Sequence, residues 1–411
     1  MMRNKSYFGK FILLWTGELI SSIGGGLTSF GLGVYVFKQT GSAAAMALIT
    51  LLGFLPTLLF SAPAGVLADW YDRRLMMMVG DGFSALGIVY ILVCMSRGNA
   101  ALWQICLGVF VSASFSALIE PAFRATITDL LTEEEYSKAS GLVSLAGSAR
   151  YLFSPVIAGF LLSISDIKLL LVIDICTFFI TIACAAIIRK SVAASPVTDH
   201  ESFLKSMKEG WHVVHDNKGI FALVMLSSLI TMFMGMFQIL AEPLILSFND
   251  AKTLGIAETV CAFGMLVSGL VLGIRGIKKG YVRTLVISLA AAGICMVGFG
   301  LVENMLPICI FGFGFFSILP FANSCMDYLA RINIADEVQG RAWGMIGFLS
   351  QVGYVIAYSV SGIAADKIGE LLNIGVGRGA AMVVQAAGIC MMIVSVICLL
   401  SPSIRRLENT K

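Results

Sequence analysis

Residues 168–188 read KLLLVIDICTFFITIACAAII and are closed by Arg189 and Lys190. At about 1.5 Å of rise per residue, a helix of this length crosses the roughly 30 Å of a bilayer's hydrocarbon core. The run is continuous rather than alternating, which excludes a β-barrel strand. One carboxylate, Asp174, interrupts it, and two cations mark its end.

The same pattern recurs along the chain. Apolar windows between polar breaks fall near 11–37, 43–68, 75–96, 100–125, 138–164, 168–188, 218–247, 253–274, 283–302, 304–330, 341–365 and 376–400. Over 411 residues, 58% are hydrophobic and 13% charged, with a mean hydropathy of +0.90, so water is not the main solvent. In hydrocarbon every backbone polar group must be satisfied within its segment, which makes the windows helices. The expectation is an all-α membrane protein of twelve transmembrane helices.

Charge orients the spans. With the N-terminus placed in the cytoplasm, the cytoplasmic loops and tails hold 20 Lys and Arg, against 6 on the other side. Both termini are therefore expected in the cytoplasm, in a bacterial-type inner membrane. The apolar stretch after Lys10 exceeds a cleavable signal core, so the first helix is expected to remain. All ten cysteines fall within spans and form no CxxC pair, which argues against a disulfide framework or zinc site. The net charge of +3 says nothing of nucleic acid, and no nucleic-acid partner is expected.

Six spans precede the longest polar segment and six follow it. This divides the chain into an N-terminal six-helix bundle (1–188), a cytoplasmic linker (189–217) and a C-terminal bundle (218–411). In the linker Phe203, Leu204, Met207, Trp211 and Val214 share one helical face, as expected of a helix lying at the membrane surface. His212 and His215 stand there at i, i+3, a spacing open to a metal or to plain interfacial packing; with no third ligand in view, no metal is expected. The halves repeat: Thr132 to Gly141 (TEEEYSKASG) matches Ala335 to Gly344 (ADEVQGRAWG). Such duplication is a transporter architecture, with a site between the halves and alternating access.

Between spans 2 and 3 stands Gly65-Val66-Leu67-Ala68-Asp69-Trp70-Tyr71-Asp72-Arg73-Arg74. The glycine permits close helix approach, Asp69 can accept backbone N–H bonds, and the arginines can pair with carboxylates. With this loop between the second and third of twelve spans, the chain resembles the major facilitator superfamily, and within it the macrolide-efflux branch of drug–proton antiporters, which includes siderophore exporters. The resemblance extends to Thr40-Gly41-Ser42, Leu51 to Pro56, Asp81, Ser154-Pro155, Asp174, Glu209-Gly210-Trp211 and Gly340-Arg341. It implies a major facilitator fold of two six-helix halves and a conformational gate of Gly65, Asp69, Arg73, Arg74, Asp81, Pro155 and Arg341, with Asp81 as partner of Arg73 or Arg74. Span 5 departs from the family's Gly-Pro pair, and the second half lacks an aspartate in the matching loop.

Ionisable groups within spans are candidate sites. Counting residues puts Arg150 near mid-bilayer, and Glu18 and Glu120 roughly 10 Å from the cytoplasmic surface. In the family helices 1, 4, 7 and 10 line the cavity, so the three are expected to meet as a substrate- and proton-binding cluster. The competing reading pairs Glu120 with Arg124 on its own helix, and Asp327 with Arg331 likewise. Gln238 and Glu242, beside Pro243, join the candidates on span 7; Glu258 reads as a helix-end residue. Met225, Met232, Phe233, Met236 and Phe237 suit either a permissive cavity or ordinary packing. Macrolide exporters tend to be uncharged at the positions of Glu18, Glu120 and Arg150, so the substrate is open.

The expected function is proton-coupled efflux of an amphiphilic small molecule, macrolide-type or another drug. The alternatives are a siderophore or lipid exporter of the same fold, and a non-transporting membrane sensor. Enzymatic activity is not expected, since no nucleophile–base pair appears, and neither is a cofactor, since no nucleotide loop is present. The energy source is then the proton gradient, and the partners are substrate, protons and lipid, with the protein a monomer.

Overall fold

A computed structural model describes residues 7–191, 211–212, 214–334 and 339–408. The helices are α1 (Phe8–Thr40), α2 (Ala43–Trp70), α3 (Arg73–Ser96), α4 (Leu102–Ser116), α5 (Ile119–Leu130), α6 (Tyr136–Ile164), α7 (Ile167–Ser191), α8 (Lys218–Leu246), α9 (Ala251–Arg275), α10 (Tyr281–Phe299), α11 (Met305–Ile332), α12 (Gln339–Leu371), α13 (Gly375–Leu400) and α14 (Pro402–Glu408). Among the described residues there is no strand. Among the described residues twelve segments are long and apolar enough to cross a membrane, close to the twelve apolar windows. The fourth is two helices: Pro121 has no N–H to offer the carbonyl four residues back, and the chain turns at Ala117–Leu118 before α5 resumes.

The chain divides into two compact units, residues 1–39 with 48–200, and residues 40–47 with 201–411. In the first unit α3 packs on α4, α5 and α7. Glycines let α1 close on α7: a methyl on Gly17 would lie 3.3 Å from Cys184 Sγ, and one on Gly24 would lie 2.9 Å from Asp174 Oδ1. One on Gly31 would collide with the Ile167 side chain. The spacing of seven residues keeps these three on one helical stripe. Trp15 Nε1 donates to the Leu142 carbonyl at 2.7 Å and fixes α6 against the same helix.

In the second unit α10 packs on α11 and α13, as α3 packs on α4 and α7 in the first, and α12 packs on α8 and α13. The repeat is thus one of packing as well as of sequence. Phe237 is the aromatic hub here, stacked on Phe315 at 4.4 Å and tilted against Phe299 at 4.5 Å. Phe233 and Phe237 are therefore core residues, whereas Met225 is exposed. Residues 40–47 enter this unit through Asp366, which accepts from Ala43 N at 2.8 Å, Ala44 N at 3.1 Å and Ser42 Oγ at 2.6 Å.

Most of the linker lies outside the described residues. Within the described part, the His215 ring stacks on Trp211 with centroids 5.6 Å apart and meets Phe221 edge-on at 5.8 Å. This geometry packs the His215 ring between two aromatic neighbours. No cluster of three or more metal-ligating side chains occurs among the described residues.

Candidate functional site

The loop after α2 builds a fastening at one end of the first unit. Asp72 caps α3, accepting from Arg74 N at 3.0 Å and Leu75 N at 3.4 Å, and receives Arg189 Nε of α7 at 2.6 Å. Partial burial pushes the Asp72 carboxyl up, but Arg189 and the two backbone donors outweigh it and hold the group below the usual aspartate range. Arg73 and Arg74 both reach Asp129 at the end of α5, at 2.7 and 3.1 Å. Arg73 also donates to the carbonyls of Ala68 and Ala125.

Two expectations for the gate change here. The partner of the arginines is Asp129, not Asp81, because long helical side chains lean toward the helix N-terminus and so away from a residue two turns later. A methyl on Gly65 would meet nothing within 4 Å, so no close approach depends on that glycine in the structure. The Asp69 and Arg341 side chains lie outside the described residues. Pro155 sits inside α6, and its neighbour Ser154, 1% exposed, donates to the Ile23 carbonyl of α1 at 3.0 Å.

Asp81 instead belongs to a line of charges. Glu18 of α1 is half-buried and within electrostatic reach of Glu120; Asp81 feels both Glu18 and Asp174; Asp174 in turn feels Arg150. Asp81 and Asp174 are each 1% exposed. Among the described residues Arg150 closes no ion pair with Glu18 or Glu120, where direct contact was expected; Asp81 and Asp174 stand in the same electrostatic neighbourhood instead. Glu120 closes an exposed ion pair with Arg124 at 2.8 Å, the local reading of that spacing. Arg150 is exposed and donates to Ser29 Oγ at 3.2 Å. Asp81 Oδ2 and Thr28 Oγ1 are buried without a hydrogen-bond partner among the described residues. Both atoms keep hydrogen-bonding capacity to spare.

In the second unit, Glu242 of α8 and Glu258, near the start of α9, are electrostatic neighbours. Gln238 lies half-buried one turn before Glu242. Asp327 lines a cavity of about 280 Å³ with Leu223, Ser227, Asn323, Trp343 and Ile346, drawn from α8, α11 and α12. The expected Asp327–Arg331 pair is not closed: Arg331 lies over the Trp343 ring, 5.3 Å from its centroid.

These features, apolar helices in two repeated packings with ionisable side chains held inside them, are those of a membrane transporter. The family model of the Major Facilitator Superfamily matches residues 14–358. The macrolide efflux protein A of Streptococcus pyogenes is 30% identical over 374 residues, covering 88% of this chain and 90% of that protein. The multidrug efflux pump Tap of Mycobacterium bovis is 22% identical, with 90% of each chain covered. A bacterial homologue of the iron transporter ferroportin shares the fold, with a TM-score of 0.74, 13% identity, and 96% and 99% of the two chains covered. The chain belongs to the Major Facilitator Superfamily. It is a multi-pass membrane transporter and not an enzyme.

Proposed function

We propose that this transporter exports amphiphilic small molecules, of the kind the macrolide and multidrug efflux relatives are named for, in exchange for protons. The line from Glu120 to Arg150 carries the proposal. Asp81 of α3 and Asp174 of α7 are buried carboxylates, which are costly in a membrane protein and are the usual material of proton relays. An arginine at the end of such a line couples it to whatever binds there, because any change in its pairing alters the proton affinity of Asp174. The fastening around Asp129 serves as the conformational latch. Both termini lie in the cytoplasm of a bacterial-type inner membrane, the protein works as a monomer, and the gradient replaces any cofactor.

Everted vesicles given a proton gradient and a macrolide test this. Substrate accumulation that collapses with the gradient, and is lost in Asp174→Asn, is the expected result. Movement in both directions regardless of the gradient contradicts it. The exposed Arg150 favours a second reading, in which the cargo is anionic: a siderophore carboxylate or catecholate, or a lipid phosphate. In that case Arg150→Gln abolishes transport of anions while leaving macrolides untouched.

A further inference from the structure

The loop from α9 into α10 holds the place in the second unit that the 65–74 loop holds in the first, but its charges are answered differently. In the first unit Asp72 caps α3, and Arg73 and Arg74 share Asp129 at the end of α5. The register that aligns Thr132 with Ala335 sets Asp129 against Ile332, so the carboxylate that takes up the arginines has no counterpart at that position. Arg275, Lys278, Lys279 and Arg283 nevertheless put four cations into nine residues, all of them exposed. Among the described residues none of the four closes an ion pair.

Glu408 of α14 reaches this loop but is already engaged. Its oxygens accept from Tyr281 N at 2.8 Å and Val282 N at 3.2 Å, and so cap α10 in place of Gly280, which has no side chain to do it. Arg405, exposed on the same short helix, adds a further cation. The loop turns through two glycines of positive φ, Gly276 at 58° and Gly280 at 74°, and the backbone amides of residues 277–280 donate to no backbone acceptor among the described residues. Tyr281, stacked on Tyr328 of α11 with centroids 3.7 Å apart, holds the turn by donating to the Ile277 carbonyl. Beyond the cations the surface becomes apolar. Phe263, Val267, Leu270 and Ile274 recur every three or four residues along one face of α9, all exposed, and the stripe ends at Ile274, 83% exposed, beside Arg275.

We propose that this end of the second unit binds an anionic phospholipid, with the phosphate held by Lys278, Lys279 and Arg283 and an acyl chain laid along the α9 stripe. The lipid phosphate then neutralises in the second unit what Asp129 neutralises in the first. Each Lys or Arg at a membrane surface strengthens the attraction to anionic lipid about fivefold, and the free loop amides add neutral donors to the same oxygens. A soluble anion or an acidic peptide would meet the cations but not the stripe, which faces hydrocarbon. Only a lipid reaches both. The inference is independent of the cargo and of the energy source.

The test is native mass spectrometry of the full chain in detergent, titrated with phosphatidylglycerol or with phosphatidylcholine of the same acyl chains. Phosphatidylglycerol is expected to bind the more tightly. Lys278→Gln with Lys279→Gln should lower its affinity about twentyfold, to the level of phosphatidylcholine, whose own binding stays unchanged. Lys278→Arg with Lys279→Arg should keep the preference. So should Arg97→Gln with Lys252→Gln, which removes as much charge from other exposed positions. Equal affinity for the two lipids, or an equal loss in the Arg97 and Lys252 pair, overturns the proposal. Displacement of the bound lipid by inorganic phosphate or by hexaglutamate at the same concentration overturns it too, since the site would then be one for soluble anions. The preference of the wild type between the two lipids decides the matter even if the glutamine pair fails to fold.

Discussion

Arg74 Nη2 lies 3.1 Å from Asp129 Oδ2, with the arginine side chain 1% exposed and the aspartate 6%. The pair joins the start of α3 to the end of α5, and Arg73 shares the same carboxylate at 2.7 Å. Removing one member of a buried pair strands the other in low dielectric, at a cost of about 3 kcal/mol or more. Asp129→Ala should therefore lower the thermal transition of the purified protein markedly. Asp81→Asn, which leaves both arginines paired, should lower it much less. Equal losses would return Asp81 to the latch.

Gly26 of α1 faces Ser154 of α6 so closely that a methyl there would lie 2.6 Å from Ser154 Cβ and 3.1 Å from Arg150 Cγ. Gly26→Ala must separate the helices or bend them, which costs about 1–3 kcal/mol in a well-packed interior. Ser154→Gly alone gives up the bond to the Ile23 carbonyl. Together the two changes should destabilise by less than their sum, since the second makes room for the first. Strict additivity in thermal unfolding would mean that the two residues do not meet.

The twelve spans were legible because hydrocarbon imposes one solution on a long apolar run. Local charge pairing was legible in part. Glu120 and Arg124 close the predicted pair, while Asp327 and Arg331, at the same spacing, do not, because Trp343 from another helix competes for the cation. Asp129 went unnoticed: it stands 55 residues from Arg74, and its only sequence signal is an acid at the end of span 4 facing a doubly basic loop. Asp174 is legible in the sequence as the one carboxylate that interrupts residues 168–188. Its contact with α1 depends on Gly24, where a methyl would lie 2.9 Å from Asp174 Oδ1, a tertiary fact that no helical periodicity contains.

Asp72 should make the first unit sensitive to acid. Its carboxyl titrates below the ordinary aspartate value in the folded chain. A group so depressed contributes stability above its unfolded-state value and loses that contribution as pH falls through the folded value. The wild type should thus lose stability below about pH 4. Asp72→Asn, which cannot titrate, should be less stable at neutral pH and show a shallower decline between about pH 5 and 2. Parallel curves in nanodisc unfolding would mean that Arg189 contributes nothing to this carboxylate.

Asp366 was singled out by no motif, yet its two oxygens accept from Ala43 N, Ala44 N and Ser42 Oγ and so satisfy the first free amides of α2. Gly362, one turn earlier on α12, leaves room for this approach, since a methyl there would lie 2.6 Å from the Ala43 carbonyl oxygen. Loss of a helix-capping carboxylate costs about 1 kcal/mol. Opening of the α2 start should therefore become about fivefold more frequent in Asp366→Ala. Hydrogen exchange over residues 41–48 should rise accordingly, while exchange in α13 stays unchanged. Unaltered protection at Ala43 and Ala44 would show that the start of α2 is held by apolar packing alone. A rise spread over the whole second unit would show that Asp366 supports the fold rather than this one helix end.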